Sequence, residues 1–300
     1  MRHVLVPLDG SVLAEATLPA AAATAKAFDA RVTLFHVLEE WAPQTVHGQR
    51  HLTDPAQARA YLESVAQRPV FGDRAVEVHV HEARTGNVAD SIMAHADELG
   101  ADLVVLCTHG QGGLRGFFFG SIALQALGRG RTPILLVNPP AAGEPAPFTC
   151  RTILVPLDGT VGHEPALPTA SVLARAWAAT VHLVMVVPTA GTLSGHEAAT
   201  GVLMPSATRV VLDLAQRGAE EYVDRLTQAL KSEGLSAKSS VSRGEPAVCL
   251  VDAAESVEAD LVVVASHAKG AMAAFWSGSL TPKLIEKLGR PILLVRAAPE

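Results

Sequence analysis

The sequence predicts the α/β class, with one domain built twice. Three observations predict it. Hydrophobic residues make up 49% of the 300 and aromatics only 4%, a composition that suits helices layered on buried strands. Short apolar runs alternate with helical segments, and that alternation gives right-handed crossovers and a parallel sheet covered on both faces. The pattern then recurs: "HVLVPLDGS" (residues 3–11) returns as "TILVPLDGT" (152–160), and "TPILLVNP" (132–139) as "RPILLVRA" (290–297). The chain is a tandem duplication, and its length suits two domains of about 150 residues, each able to bury a core. The expectation is two Rossmann-like domains, each a five-stranded parallel sheet with a pairing edge strand and helices on both faces.

The elements of the first copy follow in order. Apolar residues 3–7 form strand one, and Leu8-Asp9-Gly10 turns out of it, as Asp-Gly commonly does. Strand two spans 32–38. The stretch 39–54 has no strong period and is read as a mobile flap. Asp54-Pro55 supplies a helix N-cap with proline at the first position. Strands follow at 76–82 and 102–107, with a glycine-studded loop after the second. Ser121 opens "SIALQALGRG", a helix closing on Gly128 and Gly130, and strand five is 134–137. The stretch "NPPAAGEPAPFTC" (138–150) is too rich in proline to continue a helix or central strand. The boundaries are therefore domain one at 1–138, a linker at 139–150 and domain two at 151–300. Asp9 and Asp158 lie 149 residues apart but Gly86 and Gly244 158 apart, so copy two carries nine additional residues. They are assigned to 189–208, a small-residue segment also read as a flap.

Composition excludes several classes. The formal net charge is −6 with both signs dispersed, so no basic face marks a nucleic-acid binder. Cys107, Cys150 and Cys249 form no C-x-x-C pair, which argues against a disulfide framework or zinc cage and for a reducing cytoplasm. No apolar run approaches the length of a membrane span, and the opening strand does not read as an export signal.

The sharpest local feature is "CTHGQGGLRGFFFGS" (107–121), directly after the buried run "ADLVVL". A strand emptying into a glycine-rich loop and a helix N-terminus offers bare backbone N–H groups and a positive dipole end to a phosphate. The alternative is a loop that simply needs flexible turns. Ligands in parallel sheets sit beyond the carboxyl ends of the strands, where Asp9, Val37, Gly86 and this loop would gather. Other chemistry is poorly supported. There is no P-loop, no G-x-G-x-x-G fingerprint and no G-x-S-x-G elbow, so Ser121 and His109 are weak triad candidates. His79 and His81 share one face of a strand and could begin a metal site or be an ordinary polar face, with no third ligand in view. Phe117, Phe118 and Phe119 suit packing of the last helix or a subunit contact, or stacking on a base.

"VLVPLDGS" at the start, "LFHVLE" on strand two, "THG" after strand four and "GS" opening the last helix resemble the universal stress protein family, here as a tandem pair over nearly the whole chain. The resemblance implies an ATP-binding sensor or regulatory protein rather than a fast catalyst, with magnesium riding on the phosphates. It implies nucleotide contacts from Pro7, Leu8, Asp9 and Val37, and from Cys107, Gly110, Gly113, Gly120, Ser121 and Ile122. The family motif of glycine, two residues, glycine, nine residues, glycine, then serine or threonine keeps its spacing, with Cys107, Gly110, Gly120 and Ser121 in its places. In copy two the places fall on Ala265, Ala268, Gly278 and Ser279, which with Asp158 and Val186 make a possible degenerate second site. Added methyls at Ala265 and Ala268 obstruct phosphate, although Lys269 offers charge. Arg115 is the nearby cation of copy one, and no general base or arginine finger is evident for efficient hydrolysis. The alternatives are a nucleotide-independent interaction scaffold and a slow ATP hydrolase. The family also implies an intramolecular pseudo-dimer in which the last strands pair antiparallel, and a possible homodimer, with protein partners unknown.

Overall fold

The computed structural model describes residues 1–41, 45–46, 49–108, 121–140, 145–161, 164–193, 195–266 and 280–297. Contacts divide the chain into two units, Met1–Thr149 with Pro291–Arg296, and Cys150–Arg290 with Ala297–Glu300. Both are the expected α/β repeat.

The first unit runs β1 (His3–Pro7), a 3-10 turn at Ala14–Thr17, α1 (Leu18–Phe28), β2 (Arg31–Glu39), β3 (Thr45–Val46), β4 (Gln49–Arg50), α2 (Pro55–Ala66), β5 (Val76–Thr85), α3 (Val88–Glu98), β6 (Leu103–Cys107), α4 (Ser121–Arg129) and β7 (Ile134–Val137). Its parallel strands take the order β5-β2-β1-β6-β7. Central strands buried on both faces need continuous apolar runs. Val4, Leu5, Val6, Leu34, Phe35 and Val104 accordingly have no exposed surface. Asp54 caps α2 as its sequence predicts, accepting from Gln57 N at 2.9 Å. Asn87 caps α3 through Asp90 N at 3.2 Å. Between β2 and α2, the segment read as a flap holds the short antiparallel pair β3–β4.

The second unit runs β8 (Thr152–Leu157), α5 (Ala166–Trp177), β9 (Thr180–Val187), α6 (Gly195–Leu203), α7 (Pro205–Ser232), β10 (Ala237–Arg243), α8 (Pro246–Ser256), β11 (Leu261–Ser266) and α9 (Leu280–Lys287). Its parallel order is β10-β9-β8-β11. One detail repeats the first unit closely. Asp102 accepts from the amides of Arg2 and His3 at the start of β1, and Asp260 accepts from those of Arg151 and Thr152 at 2.7 and 3.0 Å.

Two observations go beyond the sequence. The segment 189–208, read as an irregular flap, is largely helical: α6 occupies its centre and α7 starts at Pro205. Proline at the first helical position and the alanine, leucine and arginine that follow suit helix. The period was obscured because only the far half of α7 buries a stripe, Ala219, Val223, Thr227 and Leu230. The repeat's last strand, β12 (Ile292–Arg296), lies in the first unit, antiparallel to β7 with Ile292 opposite Leu136 and Leu294 opposite Ile134. The antiparallel pairing of the two last strands is as anticipated. It covers an apolar edge that would otherwise template association.

Candidate functional site

In the first unit the order β2-β1-β6 sets three strand ends side by side. Pro7 closes β1 opposite Phe35, and Leu8 extends the ladder by donating to Phe35 O at 2.8 Å. The chain then turns at Asp9, whose Oδ1 accepts from Ser11 N at 2.8 Å. Gly10 has φ +90°, a region where an L-residue costs about 1–2 kcal/mol. A Cβ there would also stand 2.8 Å from Leu52 Cδ1. Ser11, fully buried, accepts at its Oγ from Ala14 N, the first residue of the following 3-10 turn, at 3.2 Å. Val37 is buried near the end of β2. Cys107 ends β6, and Thr108 N bonds Val137 O at 2.9 Å.

Asp9 and Cys107 are electrostatic neighbours. Burial first, and then the Asp9 carboxylate, push the Cys107 thiol up to about 12. A thiol so held is neutral and a poor nucleophile. The Gly110, Gly113 and Gly120 positions lie outside the described residues. Ser121 opens α4, and Ile122 sits half-buried in its first turn.

Sequence reasoning missed two ties that close this end of the unit. His36, buried on β2, places Nδ1 2.7 Å from Leu8 O and Nε2 3.1 Å from Leu52 O. It spans the residue before Asp9 and the segment entering α2. Glu15, six residues past Asp9, takes a bidentate contact from Arg68 at 2.8 Å for each nitrogen, and a 3.0 Å bond from Tyr61 Oη of α2. Burial, then the Glu15 charge, raises the Tyr61 pKa well above the usual 10, and Asp9 adds to it. The one available signal for His36 was a polar residue inside the apolar run "LFHVLE". Nothing in sequence spacing pairs Glu15 with Arg68.

The second unit repeats the turn in looser form. Asp158 Oδ1 accepts from Thr160 N at 2.9 Å and Thr160 Oγ1 at 2.8 Å, and Gly159 has φ +82°. Tyr222 donates to Glu164 at 3.0 Å, but Arg225 lies over the Tyr222 ring, 5.3 Å from its centroid. At the 149-residue offset, Met185 stands where the first copy has His36, so no ring bridges two carbonyls there. Asp158 is exposed where Asp9 is half-buried, and Val186 is half-buried where Val37 is buried. Ala265 is buried near the end of β11; Ala268, Gly278 and Ser279 lie outside the described residues. Among the described residues no three histidine, cysteine or acidic side chains are placed to hold a metal ion. None of the described helices is long and apolar enough to cross a membrane.

The sequence model of the Universal stress protein family matches residues 1–138 and again 149–296. Universal stress protein YxiE of Bacillus subtilis is 28% identical over 145 residues, 45% of this chain and 97% of that protein. Universal stress protein MJ0531 of Methanocaldococcus jannaschii is 26% identical over 142 residues, 46% of this chain and 83% of that protein. A crystal structure of a universal stress protein from Archaeoglobus fulgidus shares the fold over 99% of this chain and 96% of that one, with a TM-score of 0.69 and 14% identity.

Proposed function

The chain belongs to the universal stress protein family as a tandem member, and on that premise we propose that its first unit binds ATP with magnesium as a sensor or regulatory module. The observation carrying this reading is the convergence of the Asp9 turn, the Val37 wall and the end of β6 at the carboxyl ends of adjacent parallel strands, the ligand side of such sheets. Asp9 would take the ribose hydroxyls, and Pro7, Leu8 and Val37 the base. The loop through Gly110, Gly113 and Gly120, with Ser121 and Ile122 at the N-terminus of α4, would take the phosphates. The cation would be held by phosphate oxygens. The neutral thiol of Cys107 would offer contact surface rather than nucleophilic chemistry. Turnover, if any, would be slow. Three sparse free cysteines accord with a cytoplasmic setting.

The second unit supports a different reading, that of an interaction scaffold with a degenerate site. Its aspartate is exposed and the bridging histidine is replaced by Met185. The test is titration calorimetry of the full chain with ATP and magnesium. One equivalent of binding, lost in Asp9→Ala and kept in Asp158→Ala, is the expected result. No saturable heat at millimolar ATP would overturn the nucleotide reading, and two matched sites would overturn the asymmetry.

A further inference from the structure

β5 presents His79 and His81 on one side of the sheet, and α3 brings His95 against both. The ring centroids of His79 and His95 are 5.1 Å apart, and those of His81 and His95 4.7 Å. Phe35 of β2 completes the stack, 5.5 Å from His79 and 4.7 Å from His95. His95 Nδ1 lies 2.8 Å from Ser91 O, one turn earlier in α3, and Nε2 lies 4.0 Å from Glu98 Oε2. Among the described residues, the charged groups facing the stack are Glu98 of α3, whose side chain is 74% exposed, and Arg59 of α2. β2 contributes the apolar Phe35 ring. Three imidazoles therefore face one well-solvated carboxylate and one further cation. The rings touch by their faces and edges, and among the described residues no three ligating groups are placed for a metal. We propose that this stack is a proton-responsive latch, which holds α3 on β5 while His79 and His81 are neutral and releases the helix when they charge.

The direction follows from what surrounds each ring. Burial first, and then the charge of His95, lower the pKa of both His79 and His81 from the usual 6.5, with Glu98 opposing. A histidine with a lowered folded-state pKa binds fewer protons folded than released. The latch is therefore complete above about pH 6.5 and is lost as pH falls below it. Its release also frees contacts made to α4. Asn87, the cap of α3, accepts from Arg129 Nη1 at 3.0 Å, and Asp90 in the first turn lies 2.5 Å from Arg129 Nε. Arg129 is the last residue of α4, the helix that begins at Ser121. Loosening α3 thus removes a support of the helix whose N-terminus would face the phosphates. This last step rests on the nucleotide reading, whereas the latch does not.

The test is hydrogen exchange of the full chain, corrected for the pH dependence of the chemical rate. Protection of α3 is compared with that of α1. Between about pH 7.5 and about pH 5.5 the ratio is expected to fall about tenfold. In His79→Gln/His81→Gln, and to a lesser degree in His81→Gln alone, it should stay nearly flat. A constant wild-type ratio, or the same fall in the double variant, would overturn the latch. ATP titrations at both pH values separate the two ideas. Affinity that weakens with α3 release in the wild type alone supports the coupling, and release without weakening overturns it. Absence of binding at the higher pH overturns the nucleotide reading, while the exchange result still decides the latch.

Discussion

Tyr61 donates its hydroxyl to the Glu15 carboxylate across 3.0 Å, and the second repeat makes the same bond at the same length between Tyr222 and Glu164. In each copy the glutamate lies six residues past the site aspartate, and the tyrosine comes from the helix that follows the flap. The duplicated bond ties the aspartate's loop to that helix.

Removing the hydroxyl should therefore cost more in the first unit. Glu15 is 9% exposed, whereas Glu164 is half-buried. Tyr61→Phe leaves one buried acceptor short of a donor, a loss of about 1–2 kcal/mol. Tyr222→Phe should cost less than about 1 kcal/mol, because water can replace the hydroxyl. Urea unfolding followed by fluorescence of the three tryptophans measures both. Equal losses would show that burial does not set the difference.

Converting His36 to the residue its repeat carries tests the enclosure of the first site. His36→Met removes the bridge between Leu8 O and Leu52 O. ATP affinity is expected to drop about tenfold, equivalent to about 1.4 kcal/mol. The reciprocal Met185→His, beside an exposed Asp158, should create no new site. Calorimetry on both variants gives the answer, and an unchanged affinity in His36→Met would separate the clamp from binding.

The cysteines give a pH prediction. Burial raises Cys107 and Cys150 to about 12, aided by Asp9 and Asp260 respectively. At about pH 8 both should resist a thiol reagent that labels them promptly once the chain is unfolded. A pKa raised on folding stabilises the native state below the unfolded value of 9.0. That stability is then lost as pH rises from there toward about 12. Rapid native-state labelling of Cys107 at about pH 8 would contradict its burial.

The β7–β12 pair can be broken at one residue. Leu136 is 2% exposed and sits opposite Ile292. Leu136→Lys places a charge in an apolar ladder and should destabilise the first unit by about 3 kcal/mol or more. Limited proteolysis should then cut between α9 and β12, where the wild type resists. An undiminished lifetime of that segment would mean the pairing contributes little.

What the sequence disclosed depended on how local each signal was. Asp9-Gly10 and Asp54-Pro55 carry their geometry in adjacent residues, and the structure puts the turn and the cap where those pairs place them. His79 and His81 were visible as one strand face, but His95 arrives from a helix in another part of the chain and announces nothing beforehand. The His36 ring lies between two backbone carbonyls, which no residue pattern encodes. α6 and the start of α7 were missed because exposed helix has no apolar stripe to read. Val202, Leu203 and Val211 are more than half exposed there. The placement of β12 came from family resemblance, with edge-strand physics agreeing but not choosing the partner.

The position of β12 also bears on how the protein is made. The first unit's sheet is finished by the last strand of the second repeat, so a ribosome that has synthesised only the first repeat has not yet supplied all of its sheet. The apolar edge of β7 stays uncovered until the end of the second repeat has been synthesised, a nascent surface that is a hazard for association with other chains. The closing contact is also among the longest in sequence separation, which slows the final step of folding. The duplication has thereby made the first unit dependent on the second repeat for maturation, and a gene cut at the linker would not yield a complete first half.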